Sequence, residues 1–203
     1  MPQLRAVLFD LDGVLVDSYE VWKALLVEAV AEFGGEPFDD AAFAEVWGQA
    51  TDADVKRFLP RVPRADLDRF YGAHLSVHLG RTRATPGARA ALLEVRARGL
   101  GHAVVTNASR ETARLILAAS ALDVLVDVVY AADDVAQAKP APDMVVAALA
   151  RLGVAAAEAI LVGDSRYDLE AGHAAGVRVV GLGLAADWSI ASLVELPALL
   201  ARL

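Results

Sequence analysis

The first apolar run of the chain ends in Asp10-Leu11-Asp12-Gly13, two carboxylates with one residue between them. In an extended strand, residues two apart share a face. Both side chains can therefore turn into one crevice while Gly13 lets the backbone bend away. Carboxylates this close repel unless they share a cation or one keeps a proton, and either arrangement serves catalysis. Taken alone, the pair reads equally well as a polar turn at a strand end. Three later segments repeat the theme. Thr106-Asn107 closes a second β-branched run and offers a hydroxyl and a backbone amide to a phosphate oxygen. Lys139-Pro140-Ala141-Pro142-Asp143 fixes an ammonium ahead of a proline-started helix. Gly163-Asp164-Ser165-Arg166-Tyr167-Asp168 adds two more carboxylates. An Asp pair, a Thr, a Lys and a second Asp pair on successive strand ends form a specific constellation.

The elements that must position these residues follow from hydrophobic periodicity. Short β-branched runs at 6–9, 102–106, 126–130, 159–162 and 177–182 alternate with Ala/Leu-rich helical stretches near 87–98, 110–120, 142–152, 166–175 and 189–202. That alternation predicts a doubly wound α/β fold around a five-stranded parallel sheet, with ligands at the carboxyl ends of the strands. Gly99, Gly153 and Gly176 stand where helices should stop. The segment 18–84 is too long for a strand-to-helix connection and has no convincing strand. Its helical stretches 19–33, 39–48, 52–59 and 65–79, broken at Gly34-Gly35, Thr51 and Pro60 to Pro63, predict an inserted helical cap. Residues 1–17 and 85–203 then make the core, with hinges around Val16-Asp17 and Thr85-Pro86-Gly87.

Composition narrows the classes of function. The 203 residues are 56% hydrophobic and include no Cys, so a disulfide framework, a thiolate metal site and a cysteine nucleophile are all excluded. Asp10 and Asp12 interrupt the N-terminal apolar run before a signal-peptide core or membrane span can form, and the expected location is cytoplasmic. Nineteen basic against 27 acidic residues give a net charge of -8. That charge works against binding to nucleic acid or anionic membranes. An anionic ligand needs a local device to overcome this field, for which a metal ion is the direct candidate.

With these segments in place the sequence resembles the haloacid dehalogenase superfamily, the aspartate-nucleophile phosphatases, along essentially its whole length. The resemblance is carried by Asp10 to Ser18 (DLDGVLVDS), Thr85-Pro86-Gly87, Thr106-Asn107, Lys139-Pro140 and Gly163-Asp164-Ser165 with Asp168. It implies a Rossmann-like core and Asp10 as nucleophile with Asp12 as general acid and base. It also implies Mg2+ held by Asp10, the Asp12 backbone carbonyl and Asp164. Thr106, Asn107 and Lys139 are implied on the phosphate oxygens, with Asp168 supporting the metal shell through water or Lys139. The implied substrate is a small phosphorylated metabolite; the sequence leaves the assembly open between a monomer and a homodimer, which exposed cap or sheet-edge surface could support. Asp12 and Gly163-Asp164 separate the chain from the dehalogenase branch, which lacks the second aspartate. Trp22 stands where the β-phosphoglucomutase branch carries a His, which disfavours a sugar phosphomutase. The phosphoglycolate phosphatase-like branch is the nearest in pattern. A non-enzymatic aspartyl-phosphate regulator is the remaining alternative, although in receiver domains the phosphorylated Asp lies on a later strand and no cap follows.

Other residues have plainer readings. Asp17 and Asp143 suit caps or hinges, and Ser109-Arg110 a solvated helix start. His74 and His78, four apart without a third ligand, read as surface histidines rather than a metal pair. Trp22, Trp47 and Trp188 suit packing, the first two with access to a substrate pocket. Lys56, Arg57 and Arg61 form a basic run on the solvent side of the cap.

Overall fold

The computed structural model describes residues 3–203. Its strands are β1 (Ala6–Phe9), β2 (Val16–Asp17), β3 (Arg83–Ala84), β4 (Gly101–Thr106), β5 (Val129–Ala131), β6 (Ala159–Gly163), β7 (Arg178–Leu182) and β8 (Trp188–Ile190). Six of them form one sheet in the order β5-β4-β1-β6-β7-β8, every pairing parallel. Alternate residues of the central strands feed two separate cores. Val7, Phe9, Val104, Ile160 and Val162 face one layer of helices, while Ala6, Leu8, Ala103, Val105 and Leu161 face the other. Burial on both sides explains why these strands read as continuous apolar runs.

The helices in chain order are α1 (Tyr19–Phe33), α2 (Asp40–Val46), α3 (Thr51–Phe58), α4 (Arg64–His78), α5 (Ala88–Ala97), α6 (Arg110–Ala119), α7 (Asp143–Leu152), α8 (Arg166–Ala174) and α9 (Leu196–Leu200). Helices α5, α6 and α9 cover the first face through Leu92, Ile116 and Leu199. Helices α7 and α8 cover the second through Met144, Ala148 and Ala171. Gly153 ends α7 in the left-handed region at φ 66°, as its position predicts.

The inserted cap is α1 to α4. Its buried residues Leu25, Ala29, Leu67 and Leu75 belong to the same apolar cluster as the first face of the sheet, so cap and core share one interior. The cap's two connections do not run separately: β2 and β3 pair antiparallel, with Val16 opposite Ala84 and Asp17 opposite Arg83.

Two features differ from the sequence expectation. The sheet has a sixth strand, because Gly183 turns the chain at φ 68° and Trp188–Ile190 lies alongside β7. The final helix accordingly shortens to α9, preceded by a 3-10 turn over Leu193–Glu195 in which the Ser192 side chain accepts from the Val194 amide. The third core strand begins at Val129 rather than Val126, since Asp123–Leu125 closes a 3-10 turn first.

Candidate active site

β1, β4 and β6 lie side by side, and the loops at their carboxyl ends converge where the strand order reverses direction about β1. At the floor, the Lys139 Nζ sits 2.7 Å from Asp10 Oδ1 and 2.7 Å from Asp168 Oδ1. It also donates to the Val105 carbonyl at 3.0 Å. Asp168 is further tied by α8's own N-terminus, its Oδ2 accepting from the Ser165 hydroxyl at 2.6 Å and amide at 3.1 Å. One carboxylate thus caps a helix and holds the lysine.

Asp10, Asp164 and Asp168 bring carboxylate oxygens within 4.8 Å of one another. Two glycines make the gathering possible. A Cβ on Gly13, which sits at φ 84°, would lie 2.0 Å from Asp164 Oδ2, and a Cβ on Gly163 would lie 2.2 Å from Asp168 Cβ. Three carboxylates against one ammonium leave excess negative charge in a buried place. Burial, then the Asp168 charge, pushes Asp10 well above the ordinary carboxylate range, with Lys139 opposing. The same two causes bring Asp164 up to about 6. Burial works against the Lys139 charge, but Asp10 and Asp168 outweigh it and hold the ammonium above its ordinary value. Asp164 Oδ1 is buried with no hydrogen-bond partner. An orphaned oxygen within an all-carboxylate set is what a hard divalent cation such as Mg2+ would satisfy.

Asp12 sits differently. The turn after it is closed by Val16 and Leu15 amides on the Leu11 carbonyl, at 2.9 and 3.0 Å, and by the Gly13 amide on the Val16 carbonyl at 2.8 Å. Its Oδ1 accepts from the Ser18 hydroxyl and from the Trp22 indole N–H at 2.9 Å. Burial raises the Asp12 pKa, and the Ser18 and Trp22 hydrogen bonds moderate the rise.

Thr106 ends β4 fully buried and accepts the Ala108 amide at 3.1 Å. Asn107 ties three segments together. Its Oδ1 accepts the Lys139 amide at 2.9 Å, and its Nδ2 donates to the carbonyls of Lys139 at 3.1 Å and of Gly48, in the cap, at 2.9 Å. The side chain is therefore a brace for Lys139 and for the cap.

Above this floor lies a cleft open at its mouth. Asp10, Asp12, Thr106, Asn107 and Ser109 line it from the core; Trp22, Trp47, Gln49, Asp54, Asp68 and Tyr71 line it from the cap. Trp47 Nε1 reaches Asp164 Oδ2 at 3.4 Å. The Tyr71 hydroxyl donates to Asp54 Oδ2 at 2.9 Å, and the Tyr71 ring meets Trp22 edge-on at 5.6 Å. Burial brings Asp54 up to about 7 against the Tyr71 hydrogen bond. Sequence reading placed Trp22 and Trp47 near a pocket but missed Ser18, Asp54, Asp68 and Tyr71. Only Ser18 had a signal, as the last residue of the Asp10 to Ser18 segment.

The plainer readings find their places. Asp17 is exposed in β2, and Asp143 accepts the Gln137 amide at 3.1 Å. Ser109 caps α6 while lining the cleft, and Arg110 pairs with Asp134 at 2.6 Å. His74 bonds the Phe70 carbonyl at 2.8 Å, and His78, expected at the surface, is instead buried and bonds Glu28 at 3.0 Å. Lys56 and Arg57 border a second hollow beside Arg166, and Arg61 borders a third. Trp188 lies on β8 under the Arg178 guanidinium at 4.9 Å.

A family model for haloacid dehalogenase-like hydrolases matches residues 7–182. The chain belongs to the haloacid dehalogenase-like hydrolases. Among its relatives in the superfamily, a plasmid-encoded phosphoglycolate phosphatase of Cupriavidus necator is 35% identical, with 96% of this chain and 92% of that protein covered. A phosphoglycolate phosphatase of Rhodospirillum rubrum is 38% identical over 87% of this chain and 78% of its own length. The crystal structure of CbbY from Rhodobacter sphaeroides in complex with phosphate matches with a TM-score of 0.85 at 26% identity, over 96% of both chains. No helix among the described residues is long and apolar enough to cross a membrane.

Proposed function

We propose that this haloacid dehalogenase-like hydrolase is a magnesium-dependent phosphatase that cleaves a small phosphate monoester through an aspartyl phosphate on Asp10. The supporting observation is the contrast between two carboxylates two residues apart: Asp10 rests on the Lys139 ammonium at 2.7 Å, whereas Asp12 is held by two neutral donors, Ser18 and Trp22. Burial raises both carboxyls, but at Asp10 the adjacent ammonium favours the ionised form of a nucleophile, whereas the hydrogen bonds to Asp12 come from neutral donors, as suits an acid that gives up and regains a proton. An ionised Asp10 attacks phosphorus, and the ester P–O bond breaks as Asp12 passes its proton to the departing alkoxide. Asp12, now a base, takes a proton from water, which cleaves the aspartyl phosphate and frees Asp10. Lys139 and Thr106 neutralise and orient the transferring oxygens, and Asp168 keeps Lys139 in place.

Mg2+ bound by Asp10, the Asp12 carbonyl and Asp164 would supply charge that lets two anions approach. Residues 1–17 and 85–203 serve as the catalytic core and 18–84 as the cap. Two relatives named as phosphoglycolate phosphatases support the substrate class of small phosphate esters.

Turnover of p-nitrophenyl phosphate with Mg2+, its loss on chelation, and a fall of at least ~10³-fold in Asp10→Asn with an unchanged circular dichroism spectrum are the expected results. A long-lived phosphoprotein without turnover would sink the reading in favour of a regulatory protein. Near-normal rates in Asp10→Asn would remove Asp10 as nucleophile.

A further inference from the structure

Resting on the phosphatase reading, we infer that the alcohol released from the phosphate donates hydrogen bonds to the cap and carries no second anionic group. The leaving oxygen must lie beside Asp12, which protonates it. From Asp12 the cleft wall runs without a break to the cap: Asp12 takes the Trp22 N–H at 2.9 Å, Trp22 meets the Tyr71 ring, and Tyr71 donates to Asp54 at 2.9 Å. Whatever is esterified to the phosphate is therefore presented to Asp54, with Asp68 and Gln49 in the same lining.

Among the described residues, no Lys, Arg or His of the cap lines this cleft. The nearby cations are engaged or turned elsewhere. Arg64 holds Asp68 at 3.2 Å and Asp52 at 3.0 Å, while Lys56 and Arg57 face the second hollow. Among the described residues, Asp54 has the Tyr71 hydroxyl and no cationic partner. A carboxylate or second phosphate on the leaving group would meet Asp54 with no cation between them, a like-charge repulsion at close range. A hydroxyl or ammonium would instead find a carboxyl oxygen ready to accept. The elevation of Asp54 to about 7 agrees: an incoming anion must keep the proton on, whereas a donor lets it go. Discrimination here works by exclusion as much as by attraction.

The test compares kcat/KM of the full chain with Mg2+ on p-nitrophenyl phosphate, phosphoglycolate, pyrophosphate, glycerol phosphate and phosphoethanolamine. The last two separate hydroxyl from ammonium recognition, and preference for either supports the inference. At least one of them should exceed phosphoglycolate and pyrophosphate by about 100-fold, a size typical of discrimination against a substrate that leaves polar groups mismatched. In Asp54→Asn the ratio of phosphoglycolate to glycerol phosphate should rise at least 10-fold; being a ratio, it is insensitive to partial misfolding. Asp68→Asn should move it in the same direction by less. Turnover of p-nitrophenyl phosphate with phosphoglycolate or pyrophosphate preferred overturns this inference alone, as does an unchanged ratio in both variants. No turnover of any ester overturns the phosphatase reading and this inference with it.

Discussion

At the strand edge Asp10 and Asp168 share the Lys139 ammonium at 2.7 Å each, whereas across the same cleft Asp54 has, among the described residues, only the neutral Tyr71 hydroxyl at 2.9 Å. Both regions bury carboxylates, which is costly without compensation. The core compensates with a fixed cation and a set of oxygens fit for a second one. The cap compensates by letting Asp54 hold a proton near neutral pH. The first arrangement gathers charge around an anion; the second leaves a hydrogen-bond acceptor and no counter-charge. In the proposed reaction the lysine therefore marks the phosphate end of the cleft, and Asp54 the alcohol end.

Removing the lysine should have the largest effect. Lys139→Met leaves Asp10 and Asp168 buried without their shared partner, and breaking such a buried pair costs about 3–5 kcal/mol. Urea unfolding should show that loss, with p-nitrophenyl phosphate turnover falling at least ~10³-fold. If both survive, the ammonium is not what distinguishes the two regions. A smaller change is expected from Trp22→Phe, which keeps the ring edge against Tyr71 but withdraws a donor from Asp12. A fall of about 10-fold in kcat, with KM little changed, is expected. Because the indole N–H lowers the Asp12 pKa, its loss should move the Asp12-controlled limb of the pH profile upward. A KM effect alone would make Trp22 a binding wall.

The mildest effect should come from Asp54→Asn, read as stability against pH. Asp54 titrates near 7 when folded and near the ordinary carboxylate value when unfolded. Between these values the folded protein binds the extra proton, so the wild type loses stability as pH rises from about 4 to about 7. Asn removes that loss. The variant should match the wild type near pH 4 and exceed it by about 1–2 kcal/mol at pH 8, a magnitude below the full shift because the group borders an open cleft. A gain that does not vary with pH would mean that Asp54 is not the titrating group.

The candidate catalytic edge was legible because Asp10 and Asp164 directly follow the apolar strands β1 and β6, while Lys139 lies in the segment between β5 and α7 and Asp168 in the first turn of α8, so local sequence places all four at one end of the sheet. Asp10, Lys139, Asp164 and Asp168 all meet, as their strand ends implied. The cap wall was not legible in the same way. Asp54 sits on α3 while Asp68 and Tyr71 sit on α4, and nothing in either helix's periodicity says which polar positions face a cleft formed by two packed helices and a sheet. Asp54 read as one more acid of a solvated first turn. Strand β8 escaped for a different reason: three residues against an edge strand carry too little pattern to outweigh the Leu-rich stretch that follows.

The antiparallel pairing of Val16–Asp17 with Arg83–Ala84 brings the two ends of the insertion side by side, one strand spacing apart. A short turn could bridge that gap. The chain thus enters and leaves the four cap helices at a single seam, the geometry under which inserted domains are gained, lost or exchanged without rethreading the host, although their apolar faces share the interior of the core. Grafting another relative's helices onto that seam would transplant the alcohol end of the cleft while leaving Asp10 and Lys139 in place. In the proposed phosphatase, preference and chemistry would then reside in separable parts of the chain.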